Sequence, residues 1–266
     1  MSVQSTSSLK TYVYTSSEGH VDELCGNQVC ARLAQLGVEP DRIIRVPDYT
    51  YLQRNLLRER ACLWLPGAET YYLGNDLDRI SALLKQQIAA GQLNIFGSCA
   101  GGNLLCQSAT FQHPQMGATD ATDFFKVWNL LPVKMHTPQY TDQQKYKNKA
   151  PGKLIPISLP GGEKGFVSYW NNGSRFDFSS SDITVEARYE DSSIAGFSGN
   201  YGKGKIVGLG FHPEIDIDSI IARYSSVELT TNPDLTALTE KKQSAEDSSE
   251  ARLSFLSHLL NKVEVL

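Results

Sequence analysis

The chain has 266 residues, of which 41% are apolar and 20% charged, with a net charge of -4 and a pI near 5.8. That apolar content at this length can bury a full core, as one large α/β domain or two small ones. With no basic excess to hold phosphate backbones or anionic lipid, nucleic acid and membrane are not expected as partners. The expectation is a small-molecule or peptide substrate, with a protein partner as the other candidate.

No run of about 18 apolar residues is present, and the polar start MSVQSTSSLK lacks the charged and apolar regions of a secretory signal. A cytoplasmic protein is therefore expected, although one exported without a cleavable signal would read the same. The five cysteines (Cys25, Cys30, Cys62, Cys99, Cys106) are odd in number and sit mostly within apolar patterns. This suits free thiols in a reducing compartment better than a disulfide framework.

The first hundred residues alternate short apolar runs with helical patterns, as in βαβ units building a parallel sheet. Strands are expected at Tyr12 to Tyr14, Ile43 to Val46, Cys62 to Leu65 and Leu93 to Gly97. Between them Val21, Leu24, Cys25, Val29, Leu33 and Leu36 fall at helical spacing before Gly37. Leu77, Ile80, Leu84 and Ile88 do so before Gly91, and each glycine suits a helix C-terminus.

After Phe111, proline and glycine become frequent and short alternating runs appear. They lie at Phe124 to Leu130, Leu154 to Leu159, Phe166 to Trp170, Ile183 to Tyr189 and Ile194 to Ser198, and predict antiparallel strands and loops. Thr141 to Lys153 reads as a polar surface loop and Val227 to Glu250 as a solvated or mobile run. The latter leads into a helix from about Ser248 to Asn261.

Leu93-Asn-Ile-Phe-Gly-Ser-Cys-Ala-Gly-Gly passes from a buried strand through G-x-C-x-G into a helical pattern. Such an elbow strains its central residue and needs Gly97 and Gly101, which have no Cβ to clash at the reversal. Cys99 would then stand above the sheet's carboxyl edge at a helix N-terminus, where thiolate is favoured over thiol. Taken alone, the segment reads equally as a tight turn with a small buried cysteine.

A second segment, Gly204-Lys-Ile-Val-Gly-Leu-Gly-Phe-His-Pro-Glu, is an apolar strand stopped by Pro213. It puts His212 and Glu214 at a strand end, where an imidazole can take a thiol proton and a carboxylate can fix its tautomer. His212 taken alone reads as a satisfied strand cap. His20, His113, His136 and His258 have no such neighbour and are expected to be structural or exposed. No metal site is expected, because no second histidine or C-x-x-C pair accompanies His212. No cofactor is expected either: the cluster Gly196-Phe-Ser-Gly-Asn-Tyr-Gly-Lys-Gly lacks phosphate-loop spacing and reads as a β-hairpin.

Leu65-Pro-Gly-Ala-Glu-Thr follows the third strand, at the same sheet edge. Its turn can aim N–H groups of Gly67 or Ala68, together with that of Ala100, at a developing oxyanion, or it is an ordinary turn. Glu69, Tyr71 and Tyr72 could line the pocket.

These segments in this order resemble the class I glutamine amidotransferase-like superfamily. Within it, the likeness is to the amidotransferase-like N-terminal domain of biotin-protein ligases, in its stand-alone form. It also draws on Tyr12-Val-Tyr14, on Gly165-Phe-Val-Ser-Tyr-Trp170 with Asn172-Gly-Ser-Arg-Phe176, and on Tyr201-Gly-Lys-Gly204. It covers roughly residues 10 to 215 and leaves the tail unmatched.

The resemblance implies an α/β, flavodoxin-like, doubly wound and mostly parallel sheet with helices on both faces, plus an antiparallel β extension in the second half. The expected division is residues 1–224 as this domain and residues 225–266 as a polar segment and C-terminal helix packing on it. It implies Cys99 as nucleophile, His212 as base and Glu214 as its orienter. Asn103 stands where the family's glutamine helps hold substrate, so efficient glutaminase activity is not expected. Neither is biotinylation, since no Gly-Arg-Gly-Arg-type loop is present. The reading is a cysteine-dependent hydrolase or amidotransferase-like protein acting on an amide or ester. A non-catalytic binding or regulatory domain is the alternative, and a glyoxalase- or deglycase-like activity of the DJ-1/PfpI type a third.

Overall fold

Strands β1 (Lys10–Tyr14), β2 (Ile43–Val46), β3 (Ala61–Leu65), β4 (Leu93–Ser98) and β13 (Gly204–Leu209) run parallel in the order β2-β1-β3-β4-β13. The computed structural model describes residues 9–55, 59–113, 117–137, 152–162, 165–225, 228–229 and 232–266. All residues of β3 and β4 are buried, as expected of strands covered on both faces.

Strand alternation divides their side chains between two layers. Tyr12, Tyr14, Leu63, Leu65 and Ile95 point into one cluster, with α3 (Thr70–Asp78), α4 (Ser81–Ala90) and α5 (Ala100–Leu104). Val13, Cys62, Trp64, Phe96 and Val207 point into the other, with α1 (Glu23–Gln35) and the C-terminal helix α10 (Ser249–Lys262). The chain is thus an α/β protein with helices on both faces of a mostly parallel core sheet. Gly37 and Gly91 both adopt positive φ where the helices stop, as their positions predict. The single helical pattern read through Leu77 to Ile88 is two helices, broken around Arg79 and Ile80.

Beyond β13 the sheet continues through β12 (Ile194–Tyr201), β10 (Arg175–Asp177), β7 (Leu131–His136), β5 (Cys106–His113) and β6 (Gly117–Asp120). A side branch of β11 (Thr184–Tyr189), β8 (Lys153–Ser158) and β9 (Phe166–Trp170) joins at β12. The glycine cluster is the expected hairpin, with Tyr201 opposite Gly204 across a turn containing Gly202 at φ 59°.

The structure corrects the expectations at three places. The strand read at Phe124 to Leu130 is a short helix, α6 (Thr122–Phe125), followed by irregular chain; Phe124 is exposed while Phe125 and Trp128 are buried. The second half is the expected antiparallel extension except at β5 and β7, which lie outside the expected strands and pair with each other in parallel. The run from Val227 is not simply solvated. It contains α8 (Pro233–Glu240) and α9 (Lys242–Asp247), and Leu235, Leu238 and Ala245 are buried with Leu154 and Tyr169. Three apolar residues scattered among charged ones suffice because the packing surface lies far away in sequence. Most of the loop read at Thr141 to Lys153 lies outside the described residues, Lys153 itself opening β8.

Candidate active site

Cys99 sits between β4 and α5 with φ 52° and ψ -114°, a conformation costly for any residue with a Cβ. Close packing holds it there. A Cβ on Gly101 would lie 1.9 Å from the Leu65 carbonyl oxygen, and one on Gly97 would lie 2.4 Å from the Gly101 carbonyl carbon. Only bare backbone lets α5 start so near the ends of β3 and β4.

His212 and Glu214 reach the same edge because β13 lies beside β4, with Leu209 opposite Ser98. The backbone N–H of His212 donates to Tyr169 at 2.9 Å, and Ser168 Oγ donates to the His212 carbonyl at 2.9 Å, which locks the loop to β9. Two arginines hold it from below. Arg32 of α1 donates to the Glu214 carbonyl at 3.1 Å, and Arg252 of α10 to that of Ile215 at 3.1 Å.

The side chains form a buried chain of contacts. His212 Nδ1 meets Glu214 Oε1 at 2.9 Å; Ser98 Oγ donates to that oxygen at 3.1 Å and accepts from Trp64 Nε1 at 3.2 Å. Burial alone would lower the His212 pKa. Electrostatic interaction with Cys99, Glu214 and Cys25 outweighs it and holds the ring well above its ordinary range.

Cys99, His212, Gly67, Ala68 and Glu69 line one cleft of about 430 Å³, together with Ser17, His20, Val21, Asp22, Cys25, Tyr169, Asn171 and Arg223 among others. Cys99 Sγ donates to the Asn171 carbonyl at 3.9 Å. The thiol packed against the His212 ring is that of Cys25, from α1, its sulfur within 4.8 Å of a ring nitrogen. Gly67 permits this approach: a Cβ there would stand 2.3 Å from His212 Cε1 and 3.0 Å from Cys25 Sγ. Burial pushes the Cys25 thiol up against the opposing pull of His212.

Several expected site residues stand elsewhere. Ala100 opens α5, so its N–H has no intrahelical partner, but it is not part of the cleft lining. Asn103 does not line the cleft; its Nδ2 donates to Thr70 Oγ1 at 3.0 Å, and its Oδ1 is buried without a partner. It lies a full turn into α5, facing α3, so it ties the elbow helix to the helix after Gly67. Tyr71 and Tyr72 are half-exposed on α3 outside the cleft. His20, read as structural or exposed, lines the cleft, with its ring stacked on Tyr72 at 3.8 Å between centroids.

Sequence reasoning also missed Ser98, Cys25, Asp22 and Arg223. Ser98 could have been found as the nucleophile's neighbour on the opposite face of β4. Cys25 carried no signal, since its place in the apolar stripe of α1 is that of any core residue. Arg223 pairs with Asp22 across 201 residues, one of its two contacts measuring 3.0 Å.

The fold and the carboxyl-edge cleft define a protein of the class I glutamine amidotransferase-like type. Two solved structures share this fold at 17% identity. One glutamine amidotransferase has a TM-score of 0.56 over 81% of this chain and 96% of that one. A glutamine amidotransferase from Thermotoga maritima has a TM-score of 0.53 over 96% and 97%. By sequence, the chain is 26% identical to pyridoxal 5'-phosphate synthase subunit PdxT of Geobacillus kaustophilus (strain HTA426) and to that of Geobacillus thermodenitrificans (strain NG80-2). Each match covers 61% of this chain and 72% of the relative. Residues 13–266 match the family described as biotin-protein ligase, N terminal, and the chain belongs to that family. The match runs through the tail, which the resemblance read from the sequence had left out.

Proposed function

We propose that the protein is a cysteine-dependent hydrolase or amidotransferase-like enzyme that opens a small-molecule or peptide amide or ester through an acyl-enzyme on Cys99. The buried Glu214–His212 pair, set beside a strained Cys99 in one cleft, carries this reading. In the reaction Cys99 Sγ attacks the substrate carbonyl carbon and its proton goes to His212. Glu214 holds the imidazole's tautomer and steadies its positive charge, and Ser98 and Trp64 hold Glu214. Backbone N–H groups of Gly67 or Ala68 and of Ala100 are the candidate donors to the oxyanion. The imidazolium returns its proton to the leaving amine or alcohol, and water then releases the acyl group.

The proposal tests directly. Electrophilic amide and ester analogues should acylate or alkylate Cys99 in preference to the half-buried Cys30, as peptide mass spectrometry would show. His212→Asn should slow labelling by about 100-fold. Labelling of Cys30 as fast as Cys99 would overturn the reading and leave a binding domain. Free glutamine is expected to be a poor substrate, since Asn103 binds Thr70 rather than facing the cleft. Robust glutamate release that disappears in Cys99→Ala would refute that expectation.

A further inference from the structure

Two features at the mouth of the cleft are not used by the acyl chemistry. The first is a carboxylate. Of the acidic side chains that line the cleft, Asp22 is paired with Arg223, whereas Glu69 meets no lysine or arginine among the described residues and has the His20 ring at 3.6 Å. Glu69 precedes α3 as its N-cap, but its side chain makes no capping bond and is 68% exposed.

The second is a run of aromatic rings that leads away from the same rim. His20 lines the cleft and stacks on Tyr72, with 3.8 Å between centroids and 8° between planes. Tyr72 meets Tyr71 edge-on at 5.2 Å, and Tyr71 meets Phe124 of α6 at 4.7 Å. Tyr71, Tyr72 and Phe124 are 40%, 40% and 57% exposed, and with Tyr51 they are the exposed large hydrophobic side chains among the described residues. Exposed rings gathered in one place mark a binding surface, unlike the single apolar residues scattered over an ordinary exterior. Ring faces also attract cations, as the Arg79 guanidinium over Tyr49 at 4.8 Å shows elsewhere on the chain.

We propose that Glu69 and the rings of Tyr72 and Tyr71 form a subsite for a basic side chain, arginine above all, of a peptide substrate. Neither feature specifies the ligand alone: rings also take aromatic groups, and an exposed carboxylate can be left to water. A planar guanidinium satisfies both, since it stacks on a ring face while its N–H groups meet the carboxylate. A neutral aromatic group would leave Glu69 without a counter-charge. The position fits as well, because Glu69 stands two residues beyond Gly67, which borders the His212 ring, and lines the same cleft as Cys99. An arginine side chain can reach this rim from a backbone seated over Cys99. The subsite rests on the peptide-amide reading above for its substrate, but its binding is separable from the chemistry.

Binding of N-acetylargininamide to the full chain carrying Cys99→Ala, followed by NMR at low salt, is the test, with N-acetylcitrullinamide as its uncharged counterpart of the same shape. The arginine amide should bind about 10-fold more tightly. Glu69→Gln in the same background should cut that preference by about threefold, Tyr72→Ala should weaken the arginine amide by a similar factor, and added salt should shrink the preference. Absence of saturable binding by the arginine amide, equal binding of the two amides, a preference untouched in Glu69→Gln, or tighter binding of N-acetyltyrosinamide would each overturn the proposal. The chemistry is judged separately on the wild type, where iodoacetamide, small and uncharged, reports whether Cys99 reacts faster than Cys30. If it does not, the acyl-enzyme reading fails while the amide preference still decides the subsite.

Discussion

The elbow and the C-terminal tail both shape the site, by opposite means. At the elbow the residues are adjacent, Gly97, Cys99 and Gly101 lying within five positions, and backbone atoms, the Leu65 carbonyl of the next strand among them, leave no room for side chains. In the tail the useful residues are spread out, with Arg252 reaching back 37 positions to the Ile215 carbonyl and Ser248 Oγ accepting from the Val167 N–H. The elbow tolerates almost no change, because backbone cannot move aside. The tail acts through single hydrogen bonds whose loss costs less and leaves the fold standing.

The sharpest way to break that contrast is Gly101→Ala. The new Cβ would fall 1.9 Å from a backbone oxygen, so α5 must shift, and we expect a loss of about 3 kcal/mol or more in denaturant unfolding together with loss of selective Cys99 labelling. A variant within 1 kcal/mol of wild type would show that the elbow is looser than its geometry implies.

Glu214→Gln keeps the shape but removes the charge that steadies the imidazolium. Cys99 labelling should slow by about 100-fold, and the His212 titration, followed by NMR, should move down toward the ordinary histidine range. An unmoved titration would assign the raised value to the thiols alone.

In the tail, Arg252→Met should keep most of the packing and leave the Ile215 carbonyl without that donor. We expect a loss of about 2 kcal/mol, measured by thermal unfolding, with the Cys99 labelling rate falling less than in Glu214→Gln. A larger effect on labelling than on stability would mean that the tail tunes the site directly.

The smallest effect should come from Asp22, which caps α1 and pairs with Arg223 at the cleft. Burial opposes its ionisation, but Arg223 and the Leu24 N–H hold its carboxyl below the usual range. A lowered native value means stability that is present above the ordinary carboxylate range and lost as pH falls through the native value. The pair is partly exposed, so the contribution should stay under about 1 kcal/mol. Arg223→Met should flatten the acid limb of a melting-temperature profile, and an unchanged limb would assign the acid loss to other groups.

What the sequence by itself determined is whatever rests on neighbours along the chain. The four strands of the first hundred residues follow from apolar runs bounded by turns. The elbow follows from Gly97 and Gly101 flanking Cys99, and the His212 and Glu214 pair from a strand stopped at Pro213. Each is legible because its signal, strand alternation or glycines flanking one residue, is written within a few positions, even where the clash a Cβ would meet comes from Leu65 on another strand.

Only the tertiary structure decided the rest. Cys25 looks like any core residue of an amphipathic helix until Gly67 lets it meet the His212 ring. Asn103 has the right offset from Cys99, yet the turn of α5 sends it to Thr70. Leu235, Leu238 and Ala245 are too sparse to announce a core, because the surface they cover is built from β8 and β9, some 80 residues away in sequence. Such contacts depend on which elements the sheet order brings together, and side-chain identity at one end of a contact carries no record of what waits at the other.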